Sequence, residues 1–127
     1  LTYIKIIFIL VGMRAMREPT FLILTSLAAG PSHGYGVIQD VAELSDGRVH
    51  MQAGTLYAAL DRLSEEGLVE PDREEIVEGR KRRYYRLTAD GAAALAADAR
   101  LQQHNAAAAL QRLRGFPGLG SAAPQPS

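Results

Sequence analysis

Between Gly79 and Thr88 the chain reads Gly-Arg-Lys-Arg-Arg-Tyr-Tyr-Arg-Leu-Thr, with five cations in the seven positions from Arg80 to Arg86 and no acidic residue among them. Cations at that density neutralise phosphates, and arginine adds paired N–H donors that match phosphate oxygens. Tyr84 and Tyr85 favour an extended strand here, because flat side chains fit a pleated, half-buried surface. Arg80, Lys81, Arg82 and Arg83 are therefore candidate contacts to a nucleic-acid backbone. The plainer alternative is a charged strand edge that discourages aggregation. Five cations exceed what edge protection needs, so the phosphate reading is preferred.

Such a strand needs a scaffold, and the preceding sequence supplies one. A first helix is predicted from Glu18-Pro19-Thr20, with Phe21, Leu24, Leu27 and Ala28 at helical spacing and Gly30-Pro31 as its stop. Ser32 is the expected N-cap of a second helix carrying Tyr35, Ile38, Val41 and Ala42, ended by Ser45-Asp46-Gly47. Arg48 to Met51 could pair as a minimal strand. A third helix is predicted from Ala53 or Gly54 to Glu66, burying Leu56, Ala59, Leu60 and Leu63, with Gly67 at its C-terminus. Leu68 to Glu75 and Arg80 to Leu87 then form a hairpin about a Glu78-Gly79 turn. A two-residue turn sets Glu74 and Glu75 opposite Arg83 and Arg82, which would tie some of the cations into cross-strand ion pairs.

Thr88 is the expected cap of a last helix reaching about Arg114, rich in alanine. Leu95, Ala99, Gln102, Ala106, Leu110 and Leu113 form a thin seam along it, with too little domain beneath to cover it. A second copy of the chain is the simplest cover, giving a two-fold dimer. The competing reading is a solvated helix stabilised by alanine's own propensity.

At 127 residues the chain is expected to be one domain, or one domain with an appendage, and with Lys+Arg 14 balancing Asp+Glu 14 it has no overall basicity. Its charge is polarised instead: seven acidic residues between Glu65 and Glu78 face the basic run that follows. Cysteine is absent, so disulfides and thiolate metal sites are excluded. His33, His50 and His104 are too scattered for a metal motif, and no metal or cofactor is expected. Residues 1–17 read as an apolar leader or disordered arm, with Met13 or Met16 as alternative true starts. The apolar stretch within it is too short to span a bilayer, which takes about 20 residues. The Gly-, Pro- and Ala-rich stretch 115–127 is expected to be a disordered tail.

Three helices and a hairpin describe a mainly α fold with a small β-hairpin: a winged helix-turn-helix over 18–88, followed by a C-terminal dimerisation helix over 89–114. In that geometry the third helix enters the DNA major groove by its N-terminal half and the hairpin lies along the backbone. Gly54 lets the helix start approach phosphate closely, and Thr55, Tyr57 and Arg62 point away from the leucine face toward bases or phosphates. Asp61 and Glu65 lie further along and repel DNA, so the helix must tilt its start inward.

The motifs His33-Gly34-Tyr35-Gly36, Gly54-Thr55-Leu56-Tyr57, Arg62-Leu63, Glu66-Gly67-Leu68-Val69 and the Gly79-to-Thr88 strand occur in an order that resembles the PadR-type (phenolic-acid-responsive) family of bacterial transcriptional regulators. The resemblance covers Glu18 to about Leu95. It implies DNA contacts at Tyr35, Thr55, Tyr57 and the strand cations. It also implies homodimerisation, repression from palindromic operators, release by a small-molecule effector, and a cytoplasmic location. Ala58 departs from the family's usual proline, which loosens the start of the third helix slightly. The last helix has few aromatics, so a flat aromatic sandwich for an effector is not evident. No nucleophile, base and orienting acid cluster, so an enzyme is not expected. The rival readings are a winged-helix protein-interaction module and a membrane-peripheral protein held by its leader.

Overall fold

Helix α1 (Glu18–Ala28) carries so many apolar side chains that it is sheathed nearly all round. The computed structural model describes residues 16–119. Leu22, Ile23, Leu24, Ser26 and Leu27 of α1 are buried, while Phe21 only edges the core and Ala28 is exposed. The buried face is thus broader than the Phe21/Leu24/Leu27/Ala28 spacing suggests. After Gly30-Pro31 come a two-residue strand β1 (Ser32–His33) and helix α2 (Gly34–Leu44). Helix α3 (Ala53–Glu65), strands β2 (Val69–Val77) and β3 (Arg80–Leu87), and helix α4 (Ala89–Leu113) follow. The result is the expected winged helix-turn-helix with a long terminal helix.

Two local expectations are corrected between α1 and α3. His33, not Ser32, caps α2: its Nδ1 accepts the Gly36 amide at 3.3 Å. Ser32 and His33 instead pair with Tyr85 and Tyr84, making β1 the outer strand of a three-stranded sheet in the order β1-β3-β2. Arg48 to Met51 forms no strand. The Arg48 and Val49 amides are taken by Ser45 O and Oγ at 3.1 and 2.9 Å, and the Arg48 guanidinium is tied to Glu18 by two bonds of 2.8 and 2.9 Å, so the start of this segment is held against the ends of α2 and α1. On α2 the buried side is Gly34, Val37 and Val41, and Tyr35 stands 64% exposed rather than on the apolar face.

Helix α3 buries Leu56, Leu60 and Leu63 as its spacing requires. It ends with Gly67 at φ 78°, where Leu68 N bonds Leu63 O at 2.9 Å, the six-to-one closure that a left-handed glycine permits. Leu68 and Val69 then turn into the same core as Ile23, Val37, Val41 and Tyr85. Buried apolar area of this kind supplies most of the driving force for folding.

The hairpin register puts Glu74 opposite Arg83 and Glu75 opposite Arg82. Its turn is Glu78-Gly79, both with positive φ (53° and 77°), the form whose twist matches the flanking strands. Between Pro71 and Glu74 strand β2 carries one residue more than β3, a bulge at Asp72–Arg73. Thr88 caps α4, accepting the Gly91 amide at 2.9 Å. Gly91 meets the sheet so closely that a Cβ there would overlap Leu68 O and lie 2.8 Å from Leu87 Cδ1.

Leu95 and Ala94 of α4 pack on the core, and Asp98 is buried. Beyond Leu101 the helix is exposed along its whole length. Met16 packs on the core and its amide bonds Asp98 Oδ1 at 3.0 Å. The leader up to residue 15 and the tail from residue 120 lie outside the described residues. Among the described residues no helix is long and apolar enough to cross a membrane.

Candidate nucleic-acid interface

The first turn of α3 has no side-chain cap, and its first intrahelical bond runs from Leu56 N to Gln52 O at 3.0 Å. The amides of Ala53, Gly54 and Thr55 therefore face outward unpaired within the helix, with the positive end of the helix dipole behind them. Gly54 and Thr55 are exposed, and a Cβ on Gly54 would meet no atom within 4 Å. Nothing inside the domain requires a glycine there.

Tyr57 lies one turn on and leans over the start of α2. Its hydroxyl and ring edge occupy the space where a side chain on Gly34 would stand. The neighbouring His33 meets the Tyr84 ring of β3 edge-on, centroids 5.3 Å apart. Arg82, on the same face of β3 as Tyr84, is close enough to act on the His33 charge. Partial burial first, and Arg82 second, push the His33 imidazole below its ordinary value, with Glu75 pulling weakly the other way. Tyr57, Gly34, His33, Tyr84 and Arg82 thus make one physical chain from the third helix, across the start of the second, to the hairpin. Tyr35 stands exposed on the first turn of α2, next to this chain.

The hairpin cations divide into two groups. At the stem they are held: Arg86 bonds Glu70 at 2.9 Å and Asp72 at 3.1 Å, and Arg73 bonds Asp72 and Glu75 at 3.0 and 2.9 Å. Arg73 also lies 4.0 Å over the Tyr84 ring centroid, whose hydroxyl donates to Glu75 at 3.3 Å. Nearer the tip, Lys81 and Arg83 share Glu74 at 3.7 and 3.6 Å. Arg83 gains further from the Tyr85 hydroxyl, which is the main reason its charge is reinforced. Arg80 and Arg82 make no ion pair among the described residues. Exposed pairs at such distances are weak, so the tip remains available to an outside anion while the stem is internally satisfied.

Arg62 stands apart from the other expected contacts. Its guanidinium donates to Thr20 Oγ1 at 3.1 Å and lies 4.0 Å from Glu66, directed at the start of α1. On α4, Leu95 serves the domain's own core, while Ala99, Ala106, Leu110 and Leu113 are exposed. Gln102 turns its amide onto Asp98 Oδ2 at 2.5 Å. Sequence reading missed Asp98 and the bridging part of His33. The first had a signal in the Asp98/Gln102 spacing, since residues four apart on a helix are neighbours. The second had none, because β1 is only two residues long.

The profile described as Transcriptional regulator PadR-like family matches residues 23–97. The transcriptional regulator Rv3488 of Mycobacterium tuberculosis is 41% identical over 78 residues, 61% of this chain and 69% of that one. Bacillus subtilis PadR, solved in complex with operator DNA, is 25% identical with a TM-score of 0.55, covering 62% of this chain and 46% of that one. A PadR-like transcriptional regulator of Bacillus cereus shares the fold, with a TM-score of 0.63 at 23% identity over 76% of this chain and 91% of that one.

Proposed function

This chain belongs to the PadR-like family of transcriptional regulators, and from that premise we propose that it is a sequence-specific DNA-binding protein acting in the cytoplasm as a dimeric repressor of palindromic operators. The observation that carries the proposal is the continuous path from Tyr57 through Gly34 and His33 to Tyr84 and Arg82, with the unpaired Arg80 at the hairpin tip beside it. It gives one surface a helix start, two exposed tyrosines and a set of cations. The helix start reads base edges with Thr55 and Tyr57 and meets phosphate through its free amides and Gly54. The hairpin holds the backbone through Arg80 and Arg82, with Lys81 and Arg83 joining as they are released from Glu74.

The exposed second half of α4 supports the dimer, because Leu110 is 64% and Leu113 40% exposed on an otherwise alanine-rich helix. A two-fold dimer would present two α3 helices to half-sites about 10 base pairs apart or a multiple of that. A small molecule that alters the angle between protomers changes this spacing and releases the operator.

Selection of bound duplexes from a random pool by the purified protein at moderate salt tests the reading. Enrichment of an inverted repeat is expected. Recovery without sequence preference, together with binding that vanishes as salt rises, overturns it in favour of a protein-interaction role.

A further inference from the structure

We propose that Gly34 is the seat that holds Tyr57 in its DNA-reading position, so that a residue with no side chain on α2 sets the affinity of a residue on α3. The proposal rests on the reading of Tyr57 as a DNA contact. An ideal Cβ at Gly34 would overlap Tyr57 Oη and lie 2.7 Å from Cζ and 3.2 Å from Cε1. Gly34 is buried, sits in the first turn of α2 and does not have a positive φ. The backbone there accepts any residue, and glycine is required only by the phenol above it.

Tyr57 is itself 41% exposed on a helix face with no other large neighbour in its first turn. A tyrosine in such a place, left free, must give up rotamer freedom when it meets DNA, and a side chain already seated loses less. The seat also fixes direction. The ring rests over Gly34, whose chain neighbour His33 meets Tyr84 of the hairpin. Gly34 is a positioning residue and touches no DNA.

The clash involves the far end of a flexible side chain, so Gly34→Ala is expected to fold and to swing Tyr57 outward. The test is a cycle of wild type, G34A, Y57A and G34A/Y57A, read by fluorescence anisotropy on the duplex recovered by selection, with melting followed by circular dichroism. G34A is expected to weaken binding by about tenfold, an ordinary coupling for residues in contact, with its melting temperature nearly unchanged. In the Y57A background the same substitution is expected to cost nothing. An equal loss from G34A in both backgrounds overturns the seat while leaving the DNA reading intact. Y57A binding as wild type does overturns both.

Discussion

Arg80 and Arg82 should carry more of the salt-dependent affinity than Lys81 and Arg83, although all four stand on one strand. Arg80 and Arg82 have no ion-pair partner among the described residues, whereas Lys81 and Arg83 already share Glu74 at 3.7 and 3.6 Å. Each cation that neutralises a phosphate contributes about 0.9 to the slope of log affinity against log salt. In a dimer with two hairpins, R80A/R82A removes four such cations and lowers the slope by about 3 to 4. Raising salt fourfold then narrows the affinity gap between variant and parent by about two decades. K81A/R83A should lower the slope by half as much or less, because binding DNA through these residues first releases Glu74. E74Q should raise affinity at low salt for the same reason. The assay is anisotropy titration at several salt concentrations on one duplex, with melting curves to show that each variant folds. If K81A/R83A loses as much slope as R80A/R82A, internal pairing does not govern the hairpin's reach. If neither pair changes the slope, the hairpin does not hold the backbone at all.

Other outcomes follow from the packing and the protonation of single groups. Gly91→Ala should destabilise the fold by about 1–3 kcal/mol in a denaturant titration, the usual cost of overpacking, because its Cβ has no space against Leu68 O. Asp98→Ala should cost about 1–3 kcal/mol in the same assay, since it leaves the Met16 amide without its acceptor. His33 has a folded value below its ordinary 6.5, so the unfolded chain takes up the proton first as pH falls. Its stabilising contribution is complete above 6.5 and is lost as pH drops from there toward the folded value. His33→Asn, which keeps a capping acceptor, should flatten that part of a melting-temperature profile against pH. L110E/L113E should shift the protein from dimer to monomer in sedimentation velocity, and an unchanged dimer would place the interface elsewhere.

The sequence made some of this legible because local chemistry decided it. The leucine spacing of α3, the Gly67 closure, the Glu78-Gly79 turn and the Thr88 cap each depend on residues within a few positions of one another. The turn length then fixed the pairing of Glu74 and Glu75 with Arg83 and Arg82. Tertiary context decided the rest. Ser32 looks the better cap, but the helix starts at Gly34, so the cap position falls on His33, whose Nδ1 takes the Gly36 amide. Arg62 is exposed on α3 as expected, yet only the placement of α1 shows that Thr20 receives it. Gly34 and Tyr57 are 23 positions apart, and no periodicity links them.

The bulge at Asp72–Arg73 separates what the hairpin pairs from where it points. The turn fixes the partners nearer the tip, Glu74 to Arg83 through Val77 to Arg80, and the stem fixes its own from Val69 to Pro71. The extra residue lies between the two and bends and twists the strand. Deleting one residue there would leave every backbone pairing above and below unchanged while altering the bend and removing the Asp72 or Arg73 side-chain contacts. A one-residue change in length there is therefore an adjustment of aim, turning the tip while its cations keep their places on the strand.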